Sequence, residues 1–262
     1  MESAPLLELK QIQKRFGPKE ILCGVSFGIP EGGLVTIVGR SGTGKSVLLR
    51  CVVGLLEPDG GEVFFRGQSV AQPPFRASLL RSSSYVFQHN ALFDSATVLE
   101  NLMIPLRNRE DLTEKERASK ALELLKRMEL EETVLRYPAQ LSGGMQKRLA
   151  VARALVTDPE IVFFDEPTAG LDPVRRNAVF EMIVRLQRER RFTAILVTHD
   201  VREALLVSSR MIWLEGGCVS FCGTPAEFEA QPGLQFRVFR DNLEALRQAL
   251  QDSSRSVSTD LT

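Results

Sequence analysis

The 262-residue chain has no surplus of charge of either sign: Lys+Arg and Asp+Glu each number 33. A protein that grips a polyanion usually carries a basic excess, so the balance argues against a nucleic-acid partner. Histidine is scarce, with two residues, and the four cysteines (Cys23, Cys51, Cys218 and Cys222) are scattered. Cys218 and Cys222 have a zinc-like separation. They lie, however, in the alternating segment MIWLEGGCVSFCGTP, where an even offset puts residues on one strand face. They read as small strand residues, and the cysteine pattern fits a reducing compartment. No run of about 18 apolar residues occurs, so no membrane-crossing helix is expected. The start, MESAPLLELKQIQKRF, lacks a basic region followed by an apolar core, so no signal peptide is expected. Work at a membrane would need another chain to supply the span.

What remains is ordinary for a globular chain, 44% apolar and 25% charged, long enough for one large domain or one domain with an inserted subdomain. LLELKQIQKRF and EILCGVSFGIPEGG read as strands, GLVTIVG (33–39) as a buried parallel strand, KSVLLRCVVGLL as a helix starting near Gly44, and GEVFFRG as a strand after the turn Pro58-Asp59-Gly60-Gly61. From about 89 to 156 the character is helical. Thr113 and Glu116 form a capping box, and MQKRLAVARALV (145–156) is a second helix stopped by Asp158-Pro159. Then β/α alternation resumes: IVFFDEP (161–167), a helix over PVRRNAVFEMIVRLQRER, FTAILVTHD (192–200), a short helix, and a hairpin turning at Gly216-Gly217. PAEFEA and DNLEALRQALQD read as helices, and the tail SSRSVSTDLT as disordered. The class is α/β with a helical insert.

Gly39 to Ser46 fits G-x-x-x-x-G-K-[ST] between a strand and a helix, the context in which that spacing cradles phosphates. Its glycines (Gly39, Gly42, Gly44) let backbone N–H groups point inward, and the helix start adds partial positive charge. Ser41 and Thr43 complete the loop and Val47 follows it. Lys45 should reach the β- and γ-phosphates, and Ser46 should ligate Mg²⁺. Asp165 and Glu166 close a buried strand, at the end where such folds place their ligands. Asp165 suits Mg²⁺, and Glu166 suits a general base for the attacking water. Ser142, Gly143 and Gly144 precede a strong helix and give one chain a second anion-binding helix start.

Together with AGLDP after Asp-Glu-Pro-Thr, and VTHD ending the next strand, this set resembles the ABC-type ATPases over roughly residues 6–230. The resemblance implies a P-loop NTPase core with an antiparallel β subdomain and an inserted α-helical subdomain: 1–88 and 157–240 as the ATP-binding core, 89–156 as the helical part, 241–262 as a C-terminal helix and tail. It implies ATP and Mg²⁺, and a head-to-tail dimer in which the phosphate loop of one chain and Ser142–Gly144 of the other enclose each ATP. Phe16 resembles the aromatic that stacks on adenine, although Tyr is usual there. Gln88 resembles the glutamine contacting Mg²⁺ and the attacking water, His199 the switch histidine at the γ-phosphate, and Asp172 the residue that communicates across the dimer. Met145 departs from the fullest signature, which has Gln.

Length excludes the duplicated soluble members, and no coiled-coil insert of the DNA-repair type is present. A transporter subunit working with a separate membrane permease is the expectation. Arg40 and Val47 in GRSGTGKSVLLRCVVGLLEPDGGEV, the segment FQHNALFDSATVLENLMIPLR, and LSGGMQKRLAVARAL are similar to the Mla/Mce-type lipid transport ATPases. That likeness implies phospholipid transport with an MlaE-type permease, an Mce-domain protein and a small regulatory subunit, the chain lying at the cytoplasmic face of the inner membrane. The alternatives are an amino-acid or similar importer, a soluble DNA- or ribosome-associated ATPase, and a regulatory nucleotide-binding module. Segment 89–107, with Leu92 and Phe93, is expected to receive the permease.

Overall fold

The computed structural model describes residues 4–231, so the expected helix DNLEALRQALQD and the tail lie outside the described residues. Strands Leu7–Phe16 (β1) and Lys19–Ile29 (β2) form an antiparallel pair, followed by Leu34–Val38 (β3), helix Lys45–Val52 (α1), Gly60–Phe65 (β4) and the two-residue strand Gln68–Ser69 (β5). Helix Pro73–Ser82 (α2) leads straight into Ser83–Val86 (β6). Three helices follow, Val98–Leu106 (α3), Glu114–Arg127 (α4) and Gly143–Leu155 (α5), with two short 3₁₀ turns between the last two. The chain then alternates through Ile161–Asp165 (β7), Pro173–Arg190 (α6), Thr193–Thr198 (β8), Val201–Val207 (α7), the hairpin Arg210–Glu215 (β9) and Cys218–Gly223 (β10), and Pro225–Glu229 (α8).

The strands make two sheets. One is antiparallel, in the order β2-β1-β4-β5. The other runs β10-β9-β3-β8-β7-β6, parallel except for the β9–β10 hairpin. Every residue of β3, β7 and β8 is buried, because the two faces of the sheet are covered by different layers. Leu34, Val162, Phe164 and Leu196 pack with α3–α6, and Val35, Ile37, Phe163 and Val197 with α1 and the antiparallel sheet. Alternate side chains thus serve opposite cores, which is why these strands read as continuous apolar runs rather than as alternation.

Several expectations change at the element ends. α1 stops at Val52 instead of continuing to Leu56, because Gly54 turns the chain at φ 72. α5 starts at Gly143, two residues before the expected Met145. The Thr113–Glu116 capping box is present, with Glu116 N donating to Thr113 Oγ1 at 3.3 Å and Thr113 N to Glu116 Oε2 at 2.8 Å. A second box, Thr97 with Glu100, starts α3. Neither α2 nor β6 follows from the periodicity, whereas α3 falls within the stretch of about 89–156 expected to be helical. α2 buries only Leu79 and opens on Pro73-Pro74, where a missing N–H costs nothing.

Gly61, in β4, is the tightest glycine of the antiparallel sheet. It has φ 81, and a Cβ there would lie 2.2 Å from the Gln11 carbonyl oxygen, at the point where β1 bulges between Lys10 and Gln13. Gly61→Ala therefore forces the β1–β4 pairing apart. We expect a loss of about 2–4 kcal/mol in denaturant unfolding.

Candidate active site

Strands β3, β8, β7 and β6 are neighbours and parallel, so their carboxyl ends share one edge of the sheet. Along that edge follow Gly39, His199, Asp165 with Glu166, and Gln88. Gly39 must be glycine because β9 pairs with β3 through Val38↔Trp213: a Cβ would lie 2.3 Å from the Leu214 carbonyl oxygen. Gly42 (φ 80) and Gly44 (φ 96) carry the left-handed turns that fold the loop over the start of α1. Thr43 Oγ1 donates to Arg40 O at 2.9 Å, and Ser41 is exposed. Gly44 caps α1 without a side-chain bond, leaving the first helical N–H groups for an anion. Val47, the third residue of α1, is partly buried and packs against the core.

Lys45 is 4% exposed, and its Nζ donates to Gly39 O and Arg40 O, each at 2.9 Å, while lying 4.0 Å from Glu166 Oε1. Burial pulls its pKa below the ordinary lysine value, and the negative charges of Glu166 and Asp165 oppose that pull. Two of its three N–H donors are engaged with backbone; the third is available to a phosphate oxygen.

Asp165 is 1% exposed and accepts two hydroxyl hydrogens, Ser46 Oγ at 2.6 Å on Oδ1 and Tyr85 Oη at 2.9 Å on Oδ2. Burial first, and the Asp165 charge second, push the Tyr85 pKa up, so the phenol keeps its proton as a donor. The Tyr85 ring is fixed by Phe87 and Phe163, with centroids at 4.4 and 6.3 Å. Mg²⁺ prefers hard oxygen donors and keeps several waters, and the adjacent Ser46 hydroxyl and Asp165 carboxylate suit it. Glu166 sits at φ 45, a strained conformation for a side chain of its size, held by its N–H donating to Val197 O at 3.0 Å. Its carboxylate lies 3.4 Å from His199 Nδ1. His199 is exposed, and Asp200 beside it caps α7 and meets Arg176 of α6 at 3.4 Å.

Gln88 follows β6, with its carbonyl accepting from Lys147 Nζ of α5 at 2.6 Å. The next turn, Asn90-Ala91, has φ 63 and 49, and Arg153 of α5 donates to both carbonyls. Buried Asn101 fixes Phe93 by accepting from its N–H at 2.9 Å and donating to its carbonyl at 3.1 Å. Phe93 is exposed, while Leu92 is partly buried against the core.

The remaining site candidates gather elsewhere. Ser142 caps α5 by accepting from Met145 N at 3.3 Å. Gly143 and Gly144 face Leu171 and Arg175, so this helix start lies against the Asp172 turn, where Asp172 accepts from Arg175 N at 3.0 Å. Among the described residues no hydrogen bond or ion pair joins Ser142–Gly144 to the 39–46 loop. Met145 packs on the core, and Gln146 donates to Pro138 O at 2.9 Å. Phe16 ends β1 as an exposed residue, 51% accessible, with the Lys14 ammonium 5.7 Å from its ring centroid.

The sequence reading missed Tyr85 and Lys147. The signal for Tyr85 is its place three residues before Gln88, at the head of the "YVFQ" run, on a strand whose register, Tyr85↔Phe163, puts it beside Asp165. Lys147 stands three, four and seven residues before Ala150, Val151 and Ala154, on a buried face of α5, and that helical spacing is the signal that it turns inward.

A glycine loop wrapped on a helix start, with a buried lysine and an Asp-Glu pair on the next strands, defines a P-loop ATPase. The model of the ABC transporter family matches residues 22–169. Curated relatives include the glutamine transport ATP-binding protein GlnQ of Escherichia coli, 40% identical over 88% of this chain and 96% of its own length. Another is the sulfate/thiosulfate import ATP-binding protein CysA of Bacillus cereus, 36% identical over 88% of this chain, which spans only 64% of that relative. Among solved structures, cbiO1 from Clostridium perfringens, part of the ABC transporter complex cbiONQ, is similar with a TM-score of 0.80 and 28% identity, over 96% of this chain and all of that one. The ATP-binding cassette MJ0796, solved as a post-hydrolysis dimer with ADP and Pi, has a TM-score of 0.75 and 34% identity over 84% of this chain and 98% of its own. The chain belongs to the ABC transporter family, as an ATP-binding subunit that hydrolyses ATP.

Tyr85→Phe removes one of the two hydroxyls that orient Asp165. We expect the Mg²⁺ concentration for half-maximal ATPase activity to rise about fivefold, with the KM for ATP at saturating Mg²⁺ nearly unchanged.

Proposed function

We propose that this chain powers an importer-type ABC transporter by hydrolysing ATP in sites shared between two copies of itself. The observation that carries this reading is the split of the site candidates. Lys45, Ser46, Asp165, Glu166, His199 and Gln88 share one edge, whereas Ser142–Gly144 and Asp172 form a separate cluster with no bond to the loop. A nucleotide on the first group leaves the second unused, unless a head-to-tail copy brings it over. The similarity to a cassette solved as a dimer with ADP and Pi supports that arrangement.

In this reading the 39–46 loop N–H groups and Lys45 hold the phosphates, and Phe16 stacks on the base. Ser46 and Asp165 would hold Mg²⁺, with Gln88 reaching toward it; the ion would neutralise phosphate charge. Glu166 orients the attacking water for in-line displacement, and His199 and Lys45 stabilise charge spreading on the γ-phosphate. The partner copy's signature segment closes the pocket, and Asp172 carries the state of one site to the other. The 89–156 segment moves with nucleotide, presenting Phe93 with exposed Leu135 and Tyr137 to a multi-span permease. The chain would then sit peripherally on the cytoplasmic face of the membrane.

Import is favoured by the curated relatives, whose names give sulfate/thiosulfate and glutamine at nearly equal identity. Two such different solutes on similar ATPases support a reading in which the permease chooses the solute. A second reading, phospholipid transport with an MlaE-type permease, an Mce-domain protein and a small regulatory subunit, rests on the lipid-type segments around Arg40, Val47 and LSGGMQKRLAVARAL. None of the relatives described above carries a lipid name. Purification of the tagged chain from a detergent extract separates the two: a permease arriving with an Mce-domain protein supports lipid transport, and one arriving without it supports import.

For the catalytic reading, Glu166→Gln should bind ATP·Mg²⁺, run as a dimer in size-exclusion chromatography with ATP, and lose turnover by about a hundredfold or more. Normal turnover in that variant would remove Glu166 from its role.

A further inference from the structure

We infer that Lys147 is a positioning residue that sets Gln88 from the signature helix, tying the start of α5 to the catalytic edge of the same chain. The inference rests on the reading of Gln88 as part of the hydrolytic site.

Lys147 lies one turn into α5, just beyond Ser142–Gly144, and is 5% exposed. A buried ammonium is costly unless hydrogen-bonded, and burial lowers its pKa while the Glu166 charge acts against that shift. Its hydrogen-bond acceptor is the backbone carbonyl of Gln88 at 2.6 Å, a charge-assisted bond. That carbonyl lies outside the sheet ladder, whose β6–β7 register ends at Val86↔Phe164. The strand therefore does not fix where Gln88 sits; Lys147 does.

The same helix holds the next residues. Arg153 donates to the carbonyls of Asn90 and Ala91, which have positive φ and need outside contacts to stay there. Three successive contacts on the 88–91 backbone thus come from one rigid element. A shift of α5, whose N-terminus would meet the partner copy's ATP, carries Gln88 with it relative to Asp165 and Glu166. Lys147 makes the first and most direct of these contacts, and it alone of the two cations also acts electrostatically on Glu166.

The test is a double-mutant cycle in the full chain, measuring kcat and KM for ATP together with melting temperature. Lys147→Met should lower kcat about ten- to hundredfold while KM changes less than about threefold, because the side chain does not touch the nucleotide. Lys147→Arg, which keeps a cationic donor, should recover most of the loss. In a Gln88→Ala background, Lys147→Met should cost less than about twofold more, since the two act through one group. Where Lys147→Met lowers the melting temperature below the assay range, Lys147→Gln takes its place under the same criteria. A slow Gln88→Ala with a normal Lys147→Met overturns the inference and leaves the reading of Gln88 intact. Additive losses also overturn it, assigning Lys147 to direct action on Glu166. Normal turnover of Gln88→Ala overturns both.

Discussion

The structure depends on one constraint: the inner strands of its parallel sheet are buried on both faces. β3, β7 and β8 have no solvent side on which to carry charge, so, apart from Asp165 at the very end of β7, their side chains are apolar or, as with Thr36, Thr193 and Thr198, small and neutral. Ionisable groups can stand only where these strands end. Because neighbouring parallel strands end together, the loop after β3, the Asp-Glu pair closing β7 and the histidine after β8 arrive side by side. The site is a consequence of how the core is covered, and the antiparallel sheet, by covering one face, helps to make it.

Within the site, burial and charge act against each other. Lys45 is deprived of water, which disfavours its charge, and is kept useful by two backbone carbonyls and two nearby carboxylates. Asp165 is also buried and accepts its direct hydrogen bonds from two hydroxyls, with the Lys45 charge acting on it from nearby. Glu166, one residue further on, leaves the strand in a strained conformation that turns its carboxylate between Lys45 and His199. One buried carboxylate is thus held fixed, as the proposed Mg²⁺ site needs, while its neighbour keeps partial access to water.

Much of this was legible in the sequence, for identifiable reasons. The phosphate loop is a local spacing, and the continuous runs IVFFD and TAILVT, short and rich in β-branched and aromatic residues, read as doubly buried strands. PVRRNAVFEMIVRLQRER spans α6 from end to end because Asp172 caps it before Pro173 and Arg191 leaves it in a left-handed turn. What escaped has little local signature. α2 buries a single leucine, and β6 is four residues long, defined by its pairing with β7. Tyr85 and Lys147 matter because of what the fold brings to them from distant strands and helices. The lipid-type likeness around Arg40 and Val47 concerns which transporter the chain serves; the relatives described above carry sulfate/thiosulfate and glutamine import names instead, and those side chains lie outside the bonds that form the site.

The central proposal is that the two anion-binding helix starts of one chain serve different nucleotides. Mixing two inactive variants tests it most directly: Lys45→Ala, with the loop disabled, and Ser142→Arg, with the signature blocked. Each alone should be inactive, and an equimolar mixture should recover ATPase activity, because mixed dimers contain one site built from the intact halves. A mixture as inactive as its components, or a Ser142→Arg variant with normal turnover, would contradict the account.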